Sequence, residues 1–443
     1  MELLQAFSCA AVCCFSATAA LAVSEPQQLI PLGGSCSAET TRNCSLGLEE
    51  LVLGDVESAQ VHFQAVLAEF PEQPLALCGL LISENNADER RKRLAKLTEF
   101  VNSEQTTKLT PPELFYLKQL LTIACGDLSG ASDAFAERAK RFRRDHLAAA
   151  WSIILAHYAQ RDAGKTLQRY EELRRCCGES KLLSYARALV EEDAEQISDE
   201  AIQAAARASD ISPQAQLLRG HLLYRRQEFE EAAQCFRLTS EETPPERLHH
   251  EIAQSYLVMA LWSAGQFNEA QALLESLCRA VPMQGMTTAV DFYKRWETQL
   301  IPLRLLLCSP QAPSQSEIRS AKSLVVSGEN RADEKARLNY RSALVALAVA
   351  RYAHARGRAG EASEWLNHAD EYMSLFRQEI QAESSGPLSA VCHRRALRCF
   401  EEGKARVRAE VFRDSSTLWE EQARELRQPT EFCLPPLLPS PSP

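Results

Sequence analysis

Two short stretches of the sequence contain residue types that bind phosphate or zinc in other proteins. The stretch RDAGKTLQRY (161–170) contains Gly-Lys-Thr, but a phosphate-binding loop needs a further glycine five residues earlier, where this chain has Ala159. The stretch HHEIAQ (249–254) begins like a helical zinc site, but the position four residues after His250 is occupied by Gln254. We therefore expect no cofactor, no metal site and no small-molecule substrate.

Other residues capable of catalysis lack the partners that catalysis requires. The pairs Cys176-Cys177 and Cys392-His393 have no triad-like context around them. Carboxylate pairs are frequent along the chain, but at 24% charged residues they carry almost no information about catalysis. We predict that the protein is not an enzyme, and a helical enzyme with an unrecognised site is the alternative.

The cysteines favour neither zinc binding nor thioredoxin chemistry. The chain has 15 of them, and no two stand at a Cys-x-x-Cys spacing. Cys392 and Cys399 lie about 10 Å apart along one predicted helix, too far to bridge. Cys36 and Cys44, near the start of the folded part, are the better disulfide candidate. Most other cysteines fall within apolar helix patterns, where the residue packs as a small core side chain.

The first 22 residues have the pattern of a secretory signal peptide. Residues 3–22 carry no charge, and they end in Ala-Leu-Ala, a small-x-small cleavage pattern. The segment before this run holds Glu2 and no Lys or Arg, which departs from the usual pattern. We therefore expect an exported protein, periplasmic or secreted. An uncleaved membrane anchor and a cytosolic chain are the alternatives.

The charge distribution is unfavourable for nucleic-acid binding. The net charge is −10, with Lys and Arg scattered rather than gathered on one face. The most basic stretch in this reading, DERRKRLAK (88–96), is interpreted as a solvated helix face. Proteins or peptides are the expected partners, with a membrane-associated complex as one setting.

A phrase of about 32 residues occurs twice in the middle of the chain. The copies at 213–244 and 251–282 align on Ala232 and Ala270, and each ends at a proline. Both copies have apolar residues at helical spacing before and after a short turn, which predicts two helices per copy. A small residue at the crossing lets the two helices approach closely, and stacked copies can bury a continuous core.

These copies resemble tetratricopeptide repeats, which are helix–turn–helix units of about 34 residues. The matching positions are a turn glycine, an aromatic residue, a small crossing residue, a bulky residue and a terminal proline. In this sequence they are Gly265, Phe229 or Phe267, Ala232 or Ala270, Phe236 or Leu274, and Pro244 or Pro282. The resemblance implies an all-α fold, an α-solenoid of tetratricopeptide-like repeats wound as a right-handed superhelix.

Further copies extend this pattern over most of 40–420. They lie at 44–71 and 344–370, with weaker copies at 123–139 and at 151–170, where Leu167 replaces the small crossing residue. The last 15 residues hold six prolines and predict a disordered tail. The predicted organisation is a signal peptide (1–22), a linker (23–39), a repeat solenoid (40–308), a linker with a short helix (309–333), C-terminal helical repeats (334–428) and a Pro-rich tail (429–443).

The resemblance also implies a function and a set of contact residues. The first helix of each repeat lines a concave groove in this family, which binds other proteins or peptides. The groove-facing positions would be Gln214, His221, Tyr224, Arg225, Ser255, Met259 and Trp262. Met259 and Trp262 could instead pack against the neighbouring repeat. We expect a protein-interaction scaffold or adaptor of the cell envelope, and a structural subunit of an envelope assembly or secretion complex is the alternative.

Overall fold

The computed structural model describes residues 29–33, 36–83, 87–101, 103–160, 162–192, 196–245, 247–280, 303, 307, 312–326, 332–382, 400, 404, 407 and 408. The predicted signal peptide, the Pro-rich tail and Cys392, His393 and Cys399 lie outside these residues. Within them, all regular secondary structure is helical, with seventeen α-helices and a 3-10 turn at Glu104–Lys108.

The first fourteen described helices follow one another with short connections, and three further helices lie later in the described part of the chain. They are α1 (Ala38–Leu53), α2 (Val56–Glu69), α3 (Pro74–Ser83), α4 (Ala87–Val101), α5 (Pro111–Ala124), α6 (Leu128–Arg141), α7 (His146–Gln160), α8 (Ala163–Cys177), α9 (Lys181–Glu192), α10 (Asp199–Ala208), α11 (Pro213–Arg225), α12 (Phe229–Glu242), α13 (Leu248–Ser263), α14 (Phe267–Ala280), α15 (Gln315–Val326), α16 (Ala332–Ala355) and α17 (Ala359–Ala382).

The turns inside the helical hairpins have a simple local cause. The first helix ends at a glycine with positive φ, as at Gly54 (79°) and Gly126 (90°). Glycine adopts this left-handed conformation without steric cost. In these two hairpins the next residue is an aspartate whose side chain caps the second helix: Asp55 accepts from the backbone N–H of Ser58 at 3.0 Å. Gly-Asp in the sequence thus ends one helix and begins the next.

The two helices of a hairpin cross at positions with small side chains, which leave room for a close approach. The crossing alanines of the two long copies, Ala232 and Ala270, are both fully buried. Phe236 packs on the first helix at Gly220, where an added Cβ atom would lie 2.5 Å from its ring. Gly220 therefore leaves no room for a side chain, and the crossing positions admit only small residues, so the repeated small residues of the sequence specify the close approach.

The weak copy at 151–170 keeps a small crossing residue after all. Its crossing position is Thr166, which is 1% exposed, and its backbone N–H donates to the Asp162 carbonyl at 3.0 Å. Ala270 makes the same bond to Gln266 at 3.1 Å. Leu167, which the sequence alignment placed at the crossing, lies one residue further on and is half-buried. The prediction for Leu167 was therefore wrong by one position.

Successive hairpins stack into an α-solenoid. From α1 to α13, each second helix packs on the first helix of the following hairpin, and first helices also contact one another along α7, α9, α11 and α13. Their apolar side chains form one continuous core. A hairpin alone cannot bury its apolar stripe, whereas the stack can. None of the described helices combines the length and the apolar character needed to cross a membrane.

Residues 29–33, assigned to a linker in the sequence reading, pack on the first hairpins. The backbone N–H of Ile30 donates to Ser45 Oγ at 2.9 Å, and Ile30 is 2% exposed. The N–H of Gly33 donates to Glu113 Oε2 at 2.8 Å, and Gln73 Nε2 donates to Glu113 Oε1 at 2.7 Å. Burial raises the pKa of Glu113, while the backbone hydrogen bonds from Gly33 and Thr110 oppose the rise. The folded part therefore begins earlier than residue 40.

Candidate protein-binding surface

The residues predicted to face a groove divide by their exposure. Most of them are buried within the solenoid, and two are half-buried and reach the surface. The buried ones are Gln214 (4%), Tyr224 (1%), Arg225 (7%), Ser255 (3%) and Met259 (1%), and the half-buried ones are His221 and Trp262. A partner can touch the second group directly, whereas the first group lies beneath the surface.

Part of this burial comes from the chain's own first hairpin. Tyr185 Oη on α9 donates to the carbonyl oxygen of Leu53 at 2.7 Å, in a buried position. His249 Nε2 at the start of α13 donates to Gln214 Oε1 on α11 at 3.0 Å, and its Nδ1 lies 3.8 Å from Asp55 Oδ1. The turn between α1 and α2 thus packs against α9, α11 and α13, so Gln214 contacts this turn rather than solvent.

Where the first hairpin packs against the later hairpins, one carboxyl group has a raised pKa. Burial raises the pKa of Glu50, on α1, to about 8, and the nearby Asp55 and Glu49 add to the rise while Arg247 opposes it. Among the described residues, no donor reaches the buried Oε2 atom of Glu50. The carboxyl group is therefore protonated at neutral pH, and the hairpin docks without a buried charge at this position.

The half-buried His221 joins two neighbouring hairpins. Its Nδ1 lies 2.7 Å from Oε1 of Glu192, whose side chain is 1% exposed. On its other side the ring lies 6.1 Å from the ring of Tyr256 on α13. His221 thus links α9, α11 and α13, and it presents one edge to solvent.

Aromatic side chains line one edge of the solenoid at two neighbouring turns. Tyr224 and Phe229 pack edge to face across the α11–α12 turn, with ring centroids 5.2 Å apart. Trp262 and Phe267 do the same across the α13–α14 turn, at 5.0 Å. A hydrogen bond of 2.8 Å between Tyr224 Oη and Ser263 Oγ joins the two turns. We call these four aromatic residues the aromatic edge.

The aromatic edge becomes more exposed along the chain. Tyr224 is buried, Phe229 and Trp262 are half-buried, and Phe267 is 49% exposed. The repeat pattern in the sequence assigns Phe229 and Phe267 to a repeat position and does not predict them as contact residues. A usable signal was present, because an aromatic residue stands three positions before each turn and another two positions after it. That spacing brings the two rings together across the turn.

The two stretches with residue types of phosphate and zinc sites, 161–170 and 249–254, have structural roles. Gly-Lys-Thr lies in the first turn of α8, capped by Asp162, whose Oδ1 accepts from the Lys165 N–H at 3.0 Å. His250 Nδ1 donates to the carbonyl oxygen of Ser240 at 2.8 Å, and its Nε2 accepts from Gln254 Nε2 at 2.9 Å. In the described part of the chain, no three His, Cys, Asp or Glu side chains are placed to hold a metal ion.

The predicted pair Cys36 and Cys44 is not joined in the structure, where both are free thiols. Cys36 Sγ lies 3.4 Å from the carbonyl oxygen of Gly33, in the segment before α1. Cys44 is fully buried on α1, and this burial raises its pKa well above the ordinary value. The thiol of Cys44 is therefore a core side chain.

Comparison with known proteins does not assign the chain to a family. No protein-family model matches the chain, and no curated protein matches it.

Proposed function

We propose that the protein is a scaffold or adaptor that binds other proteins through the aromatic edge. The observation that carries the proposal is the pair of Trp262 and Phe267, because Phe267 is 49% exposed while its ring packs against Trp262. Large aromatic side chains at the surface of a helical array supply contact area at a small cost in conformational entropy. They are also enriched among the residues that dominate binding energy.

The residues predicted from the sequence take two roles in this proposal. His221 and Trp262 touch the partner, since each is half-buried. Gln214, Tyr224, Arg225 and Met259 are buried, and we assign them to the support of the surface rather than to direct contact. The hydrogen bond between Tyr224 and Ser263 fixes the spacing between the two turns. The contact surface is thus already formed before the partner arrives, which lowers the entropy lost on binding.

We also propose that the hairpins are tetratricopeptide-like repeats and that the protein acts in the cell envelope. The positions that carry the similarity are the crossing residues Ala232 and Ala270, both fully buried. The apolar N-terminal run is the feature that favours export. A permanent subunit of an envelope complex would use the same aromatic edge, with a partner that does not dissociate.

An affinity experiment tests the proposal. The chain from Val23 to Pro443 is used as bait on native cell-envelope extract, in parallel with Phe267→Ala and with Val61→Ala. Val61 is the matched control, since it is 51% exposed on α2. We expect a discrete partner whose recovery falls by about tenfold with Phe267→Ala and is unchanged with Val61→Ala. Equal recovery by all three chains would reject the aromatic edge.

The same experiment separates an adaptor from a permanent subunit. Gel filtration of the recovered material at micromolar concentration, followed by dilution, measures whether the partner dissociates. We expect release on dilution for an adaptor. A complex that survives both dilution and high salt would identify a permanent subunit instead.

A further inference from the structure

A second exposed surface lies at the turn between α6 and α7. Lys140, Arg141, Phe142, Arg143 and Arg144 are consecutive, and all five are exposed. We call these five residues the basic turn. It places four cationic side chains together in a chain whose net charge is −10. The sequence reading did not single out this stretch.

The backbone of the basic turn is fixed by hydrogen bonds. The N–H of Phe142 donates to the Arg138 carbonyl at 2.8 Å, and the N–H of Asp145 donates to the Phe142 carbonyl at 2.8 Å. His146, the next residue, reaches across to the end of α8, with Nε2 at 3.0 Å from the Cys177 carbonyl. The cationic residues are therefore held on a rigid support, which a loose terminal segment would not provide.

Asp145, the residue that follows the basic turn, carries a carboxylate that is already neutralised. Asp145 is 1% exposed, its Oδ1 accepts from Tyr116 Oη at 2.6 Å, and its Oδ2 pairs with Arg138 Nε at 2.5 Å. Its negative charge is thus balanced inside the protein and does not offset the cationic side chains outside.

Within the described ranges of the chain, the arginines of the basic turn have no acidic partner. Among the residues that the structure describes, no carboxylate pairs with Arg141, Arg143 or Arg144, and Lys140 pairs with the exposed Glu137 at 3.2 Å. By contrast, Arg91, Lys92 and Arg93, in the stretch that the sequence reading found most basic, already interact within the chain. The basic turn therefore combines positive charge with freedom to bind.

Phe142 orients the guanidinium groups rather than offering an apolar wedge. It is 48% exposed, and the guanidinium carbons of Arg138 and Arg141 lie over its ring at 4.9 and 5.5 Å from the centroid. A cation over an aromatic face is attracted by the ring and loses rotational freedom. Arg141 is thereby prepared for the paired hydrogen bonds that a carboxylate accepts.

We propose that the basic turn binds an acidic segment of a partner protein, with closely spaced Asp or Glu side chains. A short peptide contacts the turn alone, and beyond about 8 Å the negative charge of the rest of the chain is screened. An extended anionic membrane or a nucleic acid would also meet other parts of a chain whose net charge is −10, which opposes binding. This surface is separate from the aromatic edge, so either proposal can fail while the other stands.

The test measures the binding of a short fluorescein-labelled peptide of alternating Glu and Ser to the full chain by fluorescence anisotropy. A second peptide with Gln in place of Glu removes the charge, and vesicles containing phosphatidylglycerol provide the membrane arm. We expect saturable binding of the Glu peptide, weakened by salt, with affinity for the Gln peptide lower by about tenfold or more. Equal affinity for both peptides, or binding to the vesicles but not to the Glu peptide, would overturn the proposal.

A pair of charge-matched variants assigns the binding to the turn. Arg143→Glu with Arg144→Glu is compared with Lys96→Glu with Lys118→Glu, since all four residues are exposed and both double variants lower the net charge equally. We expect at least a tenfold loss of affinity for the first and less than about a twofold change for the second. Equal losses would show a general charge effect and reject the site. If the Arg143→Glu, Arg144→Glu chain does not fold, the double change to Gln replaces it, with the same expected direction.

Discussion

At the residue scale, the helical hairpins depend on a backbone conformation that glycine adopts without strain. The turn residue is Gly265 in one long copy, with φ of 78°, and Gln227 in the other, with φ of 66°. A residue with a Cβ atom loses about 1–2 kcal/mol in this conformation. The hairpin with Gln227 also begins its second helix at Glu228, which forms no side-chain cap.

We expect Gln227→Gly to stabilise the folded chain by about 1 kcal/mol, because it removes the strain at the α11–α12 turn. Urea unfolding followed by circular dichroism measures the change. Gly265→Gln is the reciprocal control: nothing lies within 4 Å of an added Cβ there, so any loss of stability reflects the backbone alone. A destabilised Gln227→Gly chain would show that the Gln227 side chain supports the fold.

Glu50 predicts a pH dependence of stability. Its pKa is about 8 in the folded chain and has an ordinary value of 4.5, so the folded state holds the proton between these values and the unfolded state releases it. The free energy of unfolding contributed by Glu50 must therefore fall as pH rises from about 4.5 to about 8. Above pH 8 both states are ionised and this contribution no longer changes.

Glu50→Gln is the variant that tests this assignment. We expect the wild-type free energy of unfolding to fall by an amount on the order of a few kcal/mol between about pH 5 and pH 8, and the variant to lose most of that fall. Urea titrations at several pH values provide the measurement. An unchanged pH profile in the variant would assign the dependence to another group, of which Glu113 is the nearest candidate by the direction of its pKa shift.

At the element scale, the sequence predicts the hairpins because their signals are local. The turn glycine, the capping aspartate and the small crossing residue all lie within a few positions of one another, as Gly54, Asp55 and Ala59 do. The alignment failed at Leu167 because the crossing residue of that copy is Thr166, a small residue that the alanine pattern does not include. Helix approach requires limited volume rather than alanine itself.

Ala270→Leu is expected to destabilise the chain by about 1–3 kcal/mol, since it adds methylenes to a close helix crossing. Ala232→Leu tests the same position in the preceding hairpin, and both alanines are 0% exposed. Ala272→Leu, two residues along α14 and exposed, is the matched control and should change stability by less than about 0.5 kcal/mol. Equal melting temperatures for Ala270→Leu and Ala272→Leu would contradict the crossing assignment.

At the scale of the whole molecule, local signals could not predict how the solenoid closes on itself. The hydrogen bond between Tyr185 and Leu53 joins residues 132 positions apart, and no periodicity in the sequence contains it. Such a contact depends on the rotation from each hairpin to the next, summed over several hairpins. For this reason Gln214, a groove position in the sequence reading, is covered by the turn between α1 and α2.

The sequence predicts some residues of the aromatic edge but not how exposed each of them is. The sequence predicts Tyr224 and Trp262 as contact residues because of their places on the first helices. Their exposure depends on the neighbouring turns: Tyr224 is 1% exposed because the next hairpin covers it, whereas Phe267 follows the α13–α14 turn and stays 49% exposed. The sequence indicates which residues meet at a turn, and the stacking of hairpins decides which of them reach solvent.

The export that we propose also concerns the whole molecule. The uncharged run ending in Ala-Leu-Ala predicts cleavage before Val23. Mass spectrometry of the native protein should find Val23 as the first residue. A native chain that retains Met1 would contradict export by cleavage and leave the alternatives of an anchored or cytosolic protein.

The measurement that tests the central claim most directly is site-specific photo-crosslinking in the native cell. A photoreactive benzoylphenylalanine replaces Phe267 in one chain and Val61 in another, since both positions are about half exposed. If the aromatic edge binds a partner, irradiation should link a discrete protein to position 267 and not to position 61. No crosslink at position 267, or the same products from both positions, would contradict the account.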